Sequence, residues 1–208
     1  LSKGLDELAI EALAVDPKDP KVIFAGSERR VYKTADSGVS WKQVLGLRGS
    51  DNRVRFIYVD AANSKNVYVC TERGVYQSRS GGKKWELFFK GTADEDKTIY
   101  CIQASSQNPA DIYIGAAHGL FIASSGGGSF RRVGGLPDAA IYSILQIGGD
   151  QPTLLITTSK GIYKNLGDAE HWERVVVASE ERPQGQAEIT TLEQFDVEEF
   201  STPAAFSN

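Results

Sequence analysis

A basic or potentially basic side chain recurs at regular intervals along this sequence. Arg29, Arg73, His118 and Lys160 are separated by 44, 45 and 42 residues, and each lies in a short segment between two apolar runs. Guanidinium and ammonium groups bind carboxylates and other anions through charge-assisted hydrogen bonds. The pattern therefore predicts a positive arc that holds an acidic peptide or another anion. The alternative is that these are only solvated turn residues, because charged side chains are usually exposed.

Two further arginines and several acids lie in the longer polar segments between the repeats. We assign Arg48 and Arg53 to the same predicted binding surface. The acids in these segments are Asp51, Asp94, Glu95, Asp96 and Asp138. Hydrolysis of a glycosidic bond needs two carboxyl groups roughly 5–10 Å apart, and the sequence does not pair any of these acids at such a distance. We therefore expect no catalytic residues.

Cysteine and histidine are too sparse for a metal site or a disulfide framework. The chain has two Cys and two His, without a CxxC pair or a cluster at metal-ligand spacing. We expect no metal and no cofactor. Cys70 and Cys101 lie in apolar segments, so we interpret them as buried thiols, with a disulfide as the alternative.

Charge and composition exclude several classes of protein. The 208 residues include 27 acids and 23 bases, a net charge of −4, which argues against a nucleic-acid binder. No apolar run reaches about 18 residues, so no membrane-spanning helix is predicted. Residues 180–208 hold seven acids and one base, or −6, which leaves 20 acids and 22 bases, or +2, in residues 1–179. We expect residues 180–208 to be an acidic extension or linker that docks on a basic face of its own or a neighbouring domain.

An internal repeat organises the elements that position these side chains. Pairs of aromatic residues, nine apart, recur at steps of 44, 45 and 42 residues. The pairs are Tyr32 and Trp41, Tyr76 and Trp85, Phe121 and Phe130, and Tyr163 and Trp172. Each unit contains four short segments rich in β-branched and aromatic residues, which is typical of one β-propeller blade. We predict an all-β chain of four four-stranded blades, at about residues 5–48, 49–92, 93–136 and 137–179, with the acidic extension after them.

A turn motif, Thr34-x-Asp36-x-Gly38-x-x-Trp41, lies inside the first unit and recurs with changes in the others. In such a turn an Asp side chain accepts hydrogen bonds from backbone N–H groups, Gly permits a positive φ, and the indole fills the space beneath the hairpin. The residues to which we assign this structural role are Thr34, Asp36, Gly38, Trp41, Ser78, Ser80, Gly82, Trp85, Ser125, Gly127, Phe130 and Trp172. We therefore interpret Asp36 as a turn residue and not as a catalytic acid.

The motif resembles the Asp-box, or bacterial neuraminidase repeat, of the Asp-box β-propellers. These include sialidases, some glucan hydrolases, sortilin-type receptors and photosystem assembly factors of the Ycf48 kind. The resemblance covers roughly residues 5–179 and implies that the motif turns lie at the outer rim, away from the usual ligand face. Closed members of the family typically have six or more blades, so the resemblance also implies that this chain belongs to a larger or multi-chain propeller. A periplasmic or secreted location is implied as well.

Two classes of function stay open at this point. The one we favour is a non-catalytic scaffold or protein-binding module within a larger assembly, whose partner is another protein or additional blades. An assembly factor that binds its client through the basic arc is one form of it. The alternative is a carbohydrate-binding or glycoside-hydrolase-type propeller fragment. The FRIP-like segment of sialidases does not occur in this sequence, which disfavours their reaction.

Overall fold

The computed structural model shows a chain built from β-strands. It describes residues 3–6, 9–49, 52–90, 98–106, 108, 110–124, 129–148, 153–166 and 171–175. Within these ranges there are sixteen strands. None of the described residues forms a helix with the length and apolarity that a membrane crossing requires.

The strands form four antiparallel sheets of four strands each, in chain order. Blade 1 contains β1 (Ile10–Asp16), β2 (Asp19–Ser27), β3 (Arg30–Thr34) and β4 (Lys42–Gly46). Blade 2 contains β5 (Val54–Val59), β6 (Val67–Thr71), β7 (Gly74–Ser78) and β8 (Glu86–Lys90). Blade 3 contains β9 (Ile99–Ala104), β10 (Ile112–Ala116), β11 (Gly119–Ser124) and β12 (Ser129–Arg132). Blade 4 contains β13 (Ile141–Ile147), β14 (Thr153–Thr158), β15 (Gly161–Leu166) and β16 (Trp172–Val175). The prediction of an all-β chain of four four-stranded blades is confirmed.

The first strands β1, β5, β9 and β13 contact one another in chain order. They therefore lie at the inner end of their blades, and the fourth strands lie at the outer end. Burial decreases toward the outer end. All five residues of the second strand β6 in blade 2 are buried, whereas all four residues of the fourth strand β12 in blade 3 are exposed. A strand covered on both faces needs apolar side chains at successive positions, which explains the VYVCT sequence of β6.

Three apolar clusters join successive blades. The cluster between blades 1 and 2 includes Phe24, Val31 and Ile57, and corresponding clusters join blade 2 to blade 3 and blade 3 to blade 4. The close approach leaves little room for side chains, since a Cβ atom added at Gly26 of β2 would lie 2.4 Å from Cγ1 of Val54 in the next blade. The hydrophobic core of this chain is therefore a series of layers between blades.

The same β-bulge recurs in the first strand pair of every blade. In blade 1 the ladder passes from the pair Ile10 and Ser27 to the pair Ala12 and Gly26, so one residue of β1 has no partner. The residues skipped in the four blades are Glu11, Arg55, Tyr100 and Tyr142. A bulge leaves its extra residue outside the ladder and bends the strand. The sequence repeat predicted the starts of these strands but not their bulges.

Both cysteines are buried and free. Burial raises the pKa of Cys70 well above its ordinary value, and burial raises the pKa of Cys101 to about 12. The Cys101 thiol lies 3.8 Å from the carbonyl oxygen of Ile141 in the next blade. Both residues act as small apolar side chains in the layers between blades.

Candidate binding face

The loops of the blades divide between two ends of the sheets. We call the end with the second-to-third strand loops and the connections between blades the connection face, and the opposite end the turn face. At the connection face, the Leu47 N–H in the link between blades donates to the Arg29 carbonyl at 2.8 Å. At the turn face, Gly81 N–H donates to Lys65 O at 2.9 Å and joins a third-to-fourth strand turn to a first-to-second strand turn. The predicted basic arc and the motif turns therefore lie at opposite ends.

Buried hydroxyl groups hold the loops of the connection face. Thr71 Oγ1 donates to the Gly74 carbonyl at 3.0 Å and accepts from the Arg73 N–H at 3.1 Å. Thr158, at the same repeat position in blade 4, bonds the Gly161 carbonyl and the Lys160 N–H in the same way. Ser27 of blade 1 bonds both the carbonyl and the N–H of Arg30. A hydroxyl bonded to its own loop fixes the backbone, so the basic side chain beside it projects from a defined turn.

Arg29, Arg73, His118 and Lys160 are all exposed. Arg29 and Lys160 have no ion pair with any residue in the described ranges. His118 differs, because its Nδ1 atom lies 4.0 Å from Oδ1 of Asp138. The structure places the four side chains on one face of successive blades, with free positive charge at the two ends of the series.

The predicted residues Arg48 and Arg53 lie in the connection between blades 1 and 2. Arg48 is exposed. Arg53 Nη1 is 3.4 Å from Glu11 Oε1, and this ion pair links blade 2 to the bulge residue of blade 1. The bulge residue of blade 2, Arg55, hydrogen-bonds Glu72 in the loop next to Arg73. Two arginines of this region, Arg53 and Arg55, are therefore already paired with local carboxylates.

Sequence reasoning missed two arginines that lie beside the loops of the connection face. Arg132 Nη2 donates to Asp138 Oδ1 at 2.7 Å, and Arg132 Nε would lie 2.9 Å from a Cβ added at Gly119. Arg174 has the same placement in blade 4, where its Nε atom would lie 3.1 Å from a Cβ added at Gly161. The signal was present, because both arginines follow the second aromatic residue of their repeats by two positions.

Of the five carboxylates considered for glycoside hydrolysis, only Asp138 lies in the described residues. Asp138 is exposed and ion-paired with Arg132. The other candidates, Asp51, Asp94, Glu95 and Asp96, lie outside the described residues. Among the residues that are described, no group of three or more His, Cys, Asp and Glu side chains is placed to bind a metal.

The first motif turn, residues 34–41, is closed by its own side chains. Asp36 Oδ1 accepts from the Ser40 N–H at 2.9 Å and from Thr34 Oγ1 at 2.6 Å, and Asp36 Oδ2 accepts from Ser40 Oγ at 2.5 Å. The hydrogen bonds from Ser40 are the main cause that lowers the pKa of Asp36 to about 2. Trp41 Nε1 donates to Gly38 O at 3.1 Å, and Gly38 has a φ of 90°.

The second motif turn, residues 78–85, keeps this geometry without a carboxylate. Ser80 Oγ accepts from the Lys84 N–H at 2.9 Å, and Trp85 Nε1 donates to Gly82 O at 3.1 Å. Ser78 Oγ accepts from the Gly82 N–H at 2.9 Å. A serine at the Asp position therefore supports the same turn with fewer bonds.

The third and fourth turns are described only in part. Ser125 and Gly127 lie outside the described residues. Phe130 packs against Phe88 and Phe89 of blade 2, with ring centroids 5.5 Å and 4.8 Å away. In blade 4 the Trp172 Nε1 atom is buried and has no hydrogen-bond partner among described residues, unlike the tryptophans of blades 1 and 2.

A cleft of about 370 Å³ lies beside the second motif turn. Its lining combines the Trp85 ring with polar and charged side chains, namely Gln77, Arg79, Ser80, Lys84 and Glu86. Such a combination suits the apolar faces and hydroxyl groups of a sugar as well as small anions. The sequence analysis assigned Ser80 and Trp85 only a structural role in this turn.

Comparison with known proteins identifies the architecture. No protein-family model matches the chain, and no curated protein matches it. Among solved structures, an ancestral GH74 enzyme superposes with a TM-score of 0.70 at 17% identity, over 84% of this chain and 26% of the enzyme. A structure of YCF48 bound to D1 peptide gives a TM-score of 0.60 at 13% identity, over 80% of this chain and 54% of that chain.

An extracellular domain assigned to a hybrid two component system of B. thetaiotaomicron gives a TM-score of 0.63 at 13% identity, over 83% of this chain and 25% of that chain. This chain thus spans about a quarter of the GH74 enzyme and about half of YCF48. Identities this low show the fold alone, and the neighbours include both enzymes and non-enzymatic proteins. The part of the chain that the structure describes is four consecutive blades of a β-propeller.

Proposed function

We propose that this chain is a non-catalytic protein-binding module that holds an acidic segment of a partner on its connection face. The observation that supports it best is the placement of Arg29, Arg73, His118 and Lys160 on one face of successive blades. Arg29 and Lys160 lack carboxylate partners in the described ranges, so their charge is available to a ligand. Exposed guanidinium and ammonium groups on hydroxyl-clamped loops suit carboxylates spaced along an extended peptide.

Two neighbours support parts of this proposal. YCF48 has a structure with a bound peptide, which shows that a propeller of this kind can serve as a peptide receptor. The extracellular domain from B. thetaiotaomicron is compatible with an extracytoplasmic location, which we propose for this chain too. The hydrogen-bonded turns at residues 34–41 and 78–85 support membership of the Asp-box family. We further propose that additional blades complete the ring.

A charge-reversal experiment tests the binding face. The probe is a fluorescently labelled peptide of ten glutamates, titrated with the full chain and followed by anisotropy at low ionic strength. Arg29→Glu with Lys160→Glu is expected to weaken binding by roughly tenfold or more, since two unpaired charges are reversed. Lys83→Glu with Lys84→Glu makes the same charge change on the turn face and is expected to alter binding by less than about threefold. Equal losses in both double variants would show nonspecific attraction and contradict the proposal.

A carbohydrate-binding function is the second candidate, and the cleft beside Trp85 favours it. A tryptophan ring with neighbouring amide and charged groups is suited to stacking and hydrogen bonding with a sugar. Titration with xyloglucan oligosaccharides, followed by the Trp fluorescence of the native chain and of Trp85→Phe, tests it. Saturable binding that Trp85→Phe abolishes would support this candidate, and the double variant of Arg29 and Lys160 is expected to leave such binding unchanged.

A further inference from the structure

The first strands of blades 2, 3 and 4 carry apolar side chains that face the preceding blade. Ile57 of β5 is 2% exposed and packs in the layer against blade 1, and Ile102 of β9 is 2% exposed in the layer against blade 2. Leu13 has the same repeat position in β1 and the same place in the bulged register, yet it is 66% exposed. The side chain is apolar as in the other blades, but no described blade precedes blade 1.

The third strand of each blade carries a corresponding side chain that faces the following blade. Val31, Val75 and Leu120 are 0%, 0% and 1% exposed, and each lies in the layer shared with the next blade. Ile162 has this position in blade 4 and is 37% exposed. Leu145 of β13, on the same face of that sheet, is 54% exposed. Blade 4 therefore keeps an apolar face that is built to receive another blade.

One polar contact between blades has matching residues on the free face of blade 4. Lys33 Nζ of β3 donates to the Gly81 carbonyl in the motif turn of blade 2 at 2.8 Å, and lies 5.2 Å from the centroid of the Phe24 ring. Lys164 has the position of Lys33 in blade 4, and Leu155 has that of Phe24. Within the described residues Lys164 pairs with Glu173, at 3.1 Å. The free face of blade 4 thus repeats both the apolar and the basic elements with which blade 1 holds blade 2.

We propose that blade 4 of one copy docks on blade 1 of a second copy, as blades 1, 2 and 3 hold the blades that follow them. Blade 1 supplies what such a face receives elsewhere in the chain: an apolar first-strand side chain at Leu13 and a closed motif turn at residues 34–41. The turn position that corresponds to Gly81 is Ser37, whose carbonyl would accept from Lys164 of the partner subunit. Such an interface is heterologous, because the two surfaces in contact are different.

Burial of Leu13, Val15, Leu145 and Ile162 is the driving force for this association. Val15 is 50% exposed and continues the free face of β1 beyond Leu13. Apolar side chains left in contact with water on a continuous face favour association, since their removal from water lowers the free energy. The proposal does not depend on the binding of an acidic peptide, because the faces involved are the lateral faces of the end blades.

The oligomeric state of the full chain tests this inference, measured by sedimentation velocity at increasing concentration. The native chain is expected to self-associate, and Leu13→Asp and Ile162→Asp are each expected to weaken association by at least about tenfold. Leu87→Asp is the matched control, because Leu87 is 53% exposed on the outer strand β8 of blade 2, away from both end faces. Circular dichroism verifies that each variant is folded. If Leu13→Asp does not fold, Val15→Asp replaces it on the blade 1 face, and Leu145→Asp likewise replaces Ile162→Asp on the blade 4 face.

Mixing the two variants distinguishes head-to-tail docking from other association. Leu13→Asp keeps an intact blade 4 face and Ile162→Asp keeps an intact blade 1 face, so an equimolar mixture is expected to form a heterodimer. A native chain that stays monomeric at roughly 100 µM would overturn the proposal. Failure of the mixture to associate would also overturn it, as would an equal effect of Leu87→Asp.

Discussion

Lys33 in the third strand of blade 1 donates a hydrogen bond from Nζ to the carbonyl oxygen of Gly81 in the motif turn of blade 2, at 2.8 Å. The bond joins blade 1 to a turn whose hydrogen bonds through Ser78, Ser80 and Trp85 stay within blade 2. It shows that the motif turns contribute to packing between blades as well as to their own hairpins.

Replacing Lys33 with methionine keeps the aliphatic stem. It removes this hydrogen bond and the positive charge that lies over the Phe24 ring. We expect the free energy of unfolding to fall by about 1 kcal/mol. Chemical denaturation of Lys33→Met measures it. Lys42→Met, on the exposed strand β4, is the control and is expected to change stability by less than about 0.5 kcal/mol. Equal stability of the two variants would show that the inter-blade bond contributes nothing.

The Asp36 carboxylate predicts a dependence of stability on pH. Its pKa falls from 3.8 to about 2 in the folded chain, chiefly because Ser40 donates to it. A lowered folded-state pKa stabilises the fold above the unfolded value of 3.8, and this contribution is lost as the pH falls through about 2. The stability difference between the native chain and Asp36→Asn should therefore be largest near neutral pH and shrink between pH 4 and pH 2.

Thermal unfolding of both chains across this pH range measures the difference. Ser80→Ala, the corresponding change in the second turn, removes an acceptor without a carboxylate. Its effect on stability should be independent of pH over the same range. A pH-independent difference for Asp36→Asn would contradict the assigned role of the carboxylate.

Gly74 begins β7 with a φ of 146°, and a Cβ atom there would lie 2.1 Å from the carbonyl oxygen of Phe89. Because the obstacle is backbone, it cannot rotate away, and Gly74→Ala is expected to cost about 2–4 kcal/mol of stability. Gly134→Ala is the control, since a Cβ atom at Gly134 meets nothing within 4 Å. Urea denaturation of both variants measures the contrast. Similar midpoints for the two variants would contradict the described approach of β7 and β8.

The buried hydroxyl of Thr71 is expected to hold the loop that carries Arg73. Thr71→Val keeps the shape but leaves the Gly74 carbonyl and the Arg73 N–H without this partner, at a cost of about 1–3 kcal/mol. Thr71→Ser retains the hydroxyl and is expected to lose much less. Denaturation of both variants, with hydrogen exchange of the Arg73 amide, measures the effect. A Thr71→Val chain as stable as Thr71→Ser would show that the hydroxyl is dispensable.

Much of the fold follows from repeat arithmetic. The positions Ile10, Val54, Ile99 and Ile141, related by the repeat steps, are the first residues of β1, β5, β9 and β13. The β-bulge after each of them was not predictable, because the skipped residues are as different as Glu11 and Tyr100, and a bulge is set by backbone geometry. Leu13 is 66% exposed because no described blade covers that face of blade 1.

The candidate site was predictable in its placement but not in its charge. Repeat register alone puts Arg29 and Lys160 in equivalent loops. Pairing of Arg53 with Glu11 depends on contact between blades 1 and 2, which no single-strand pattern encodes. His118 meets Asp138 through the connection between blades 3 and 4, for the same reason. The charge available at the connection face therefore depends on contacts between segments that are distant in the sequence.

We propose that the connection face, and not the turn face, binds an acidic segment. Hydrogen–deuterium exchange of the full chain, with and without the ten-glutamate peptide, tests it most directly. We predict slower exchange in the second-to-third strand loops around Arg29, Arg73 and Lys160, with no change in the motif turns at residues 34–41 and 78–85. Protection confined to the motif turns, or no protection at saturating peptide, would contradict the claim.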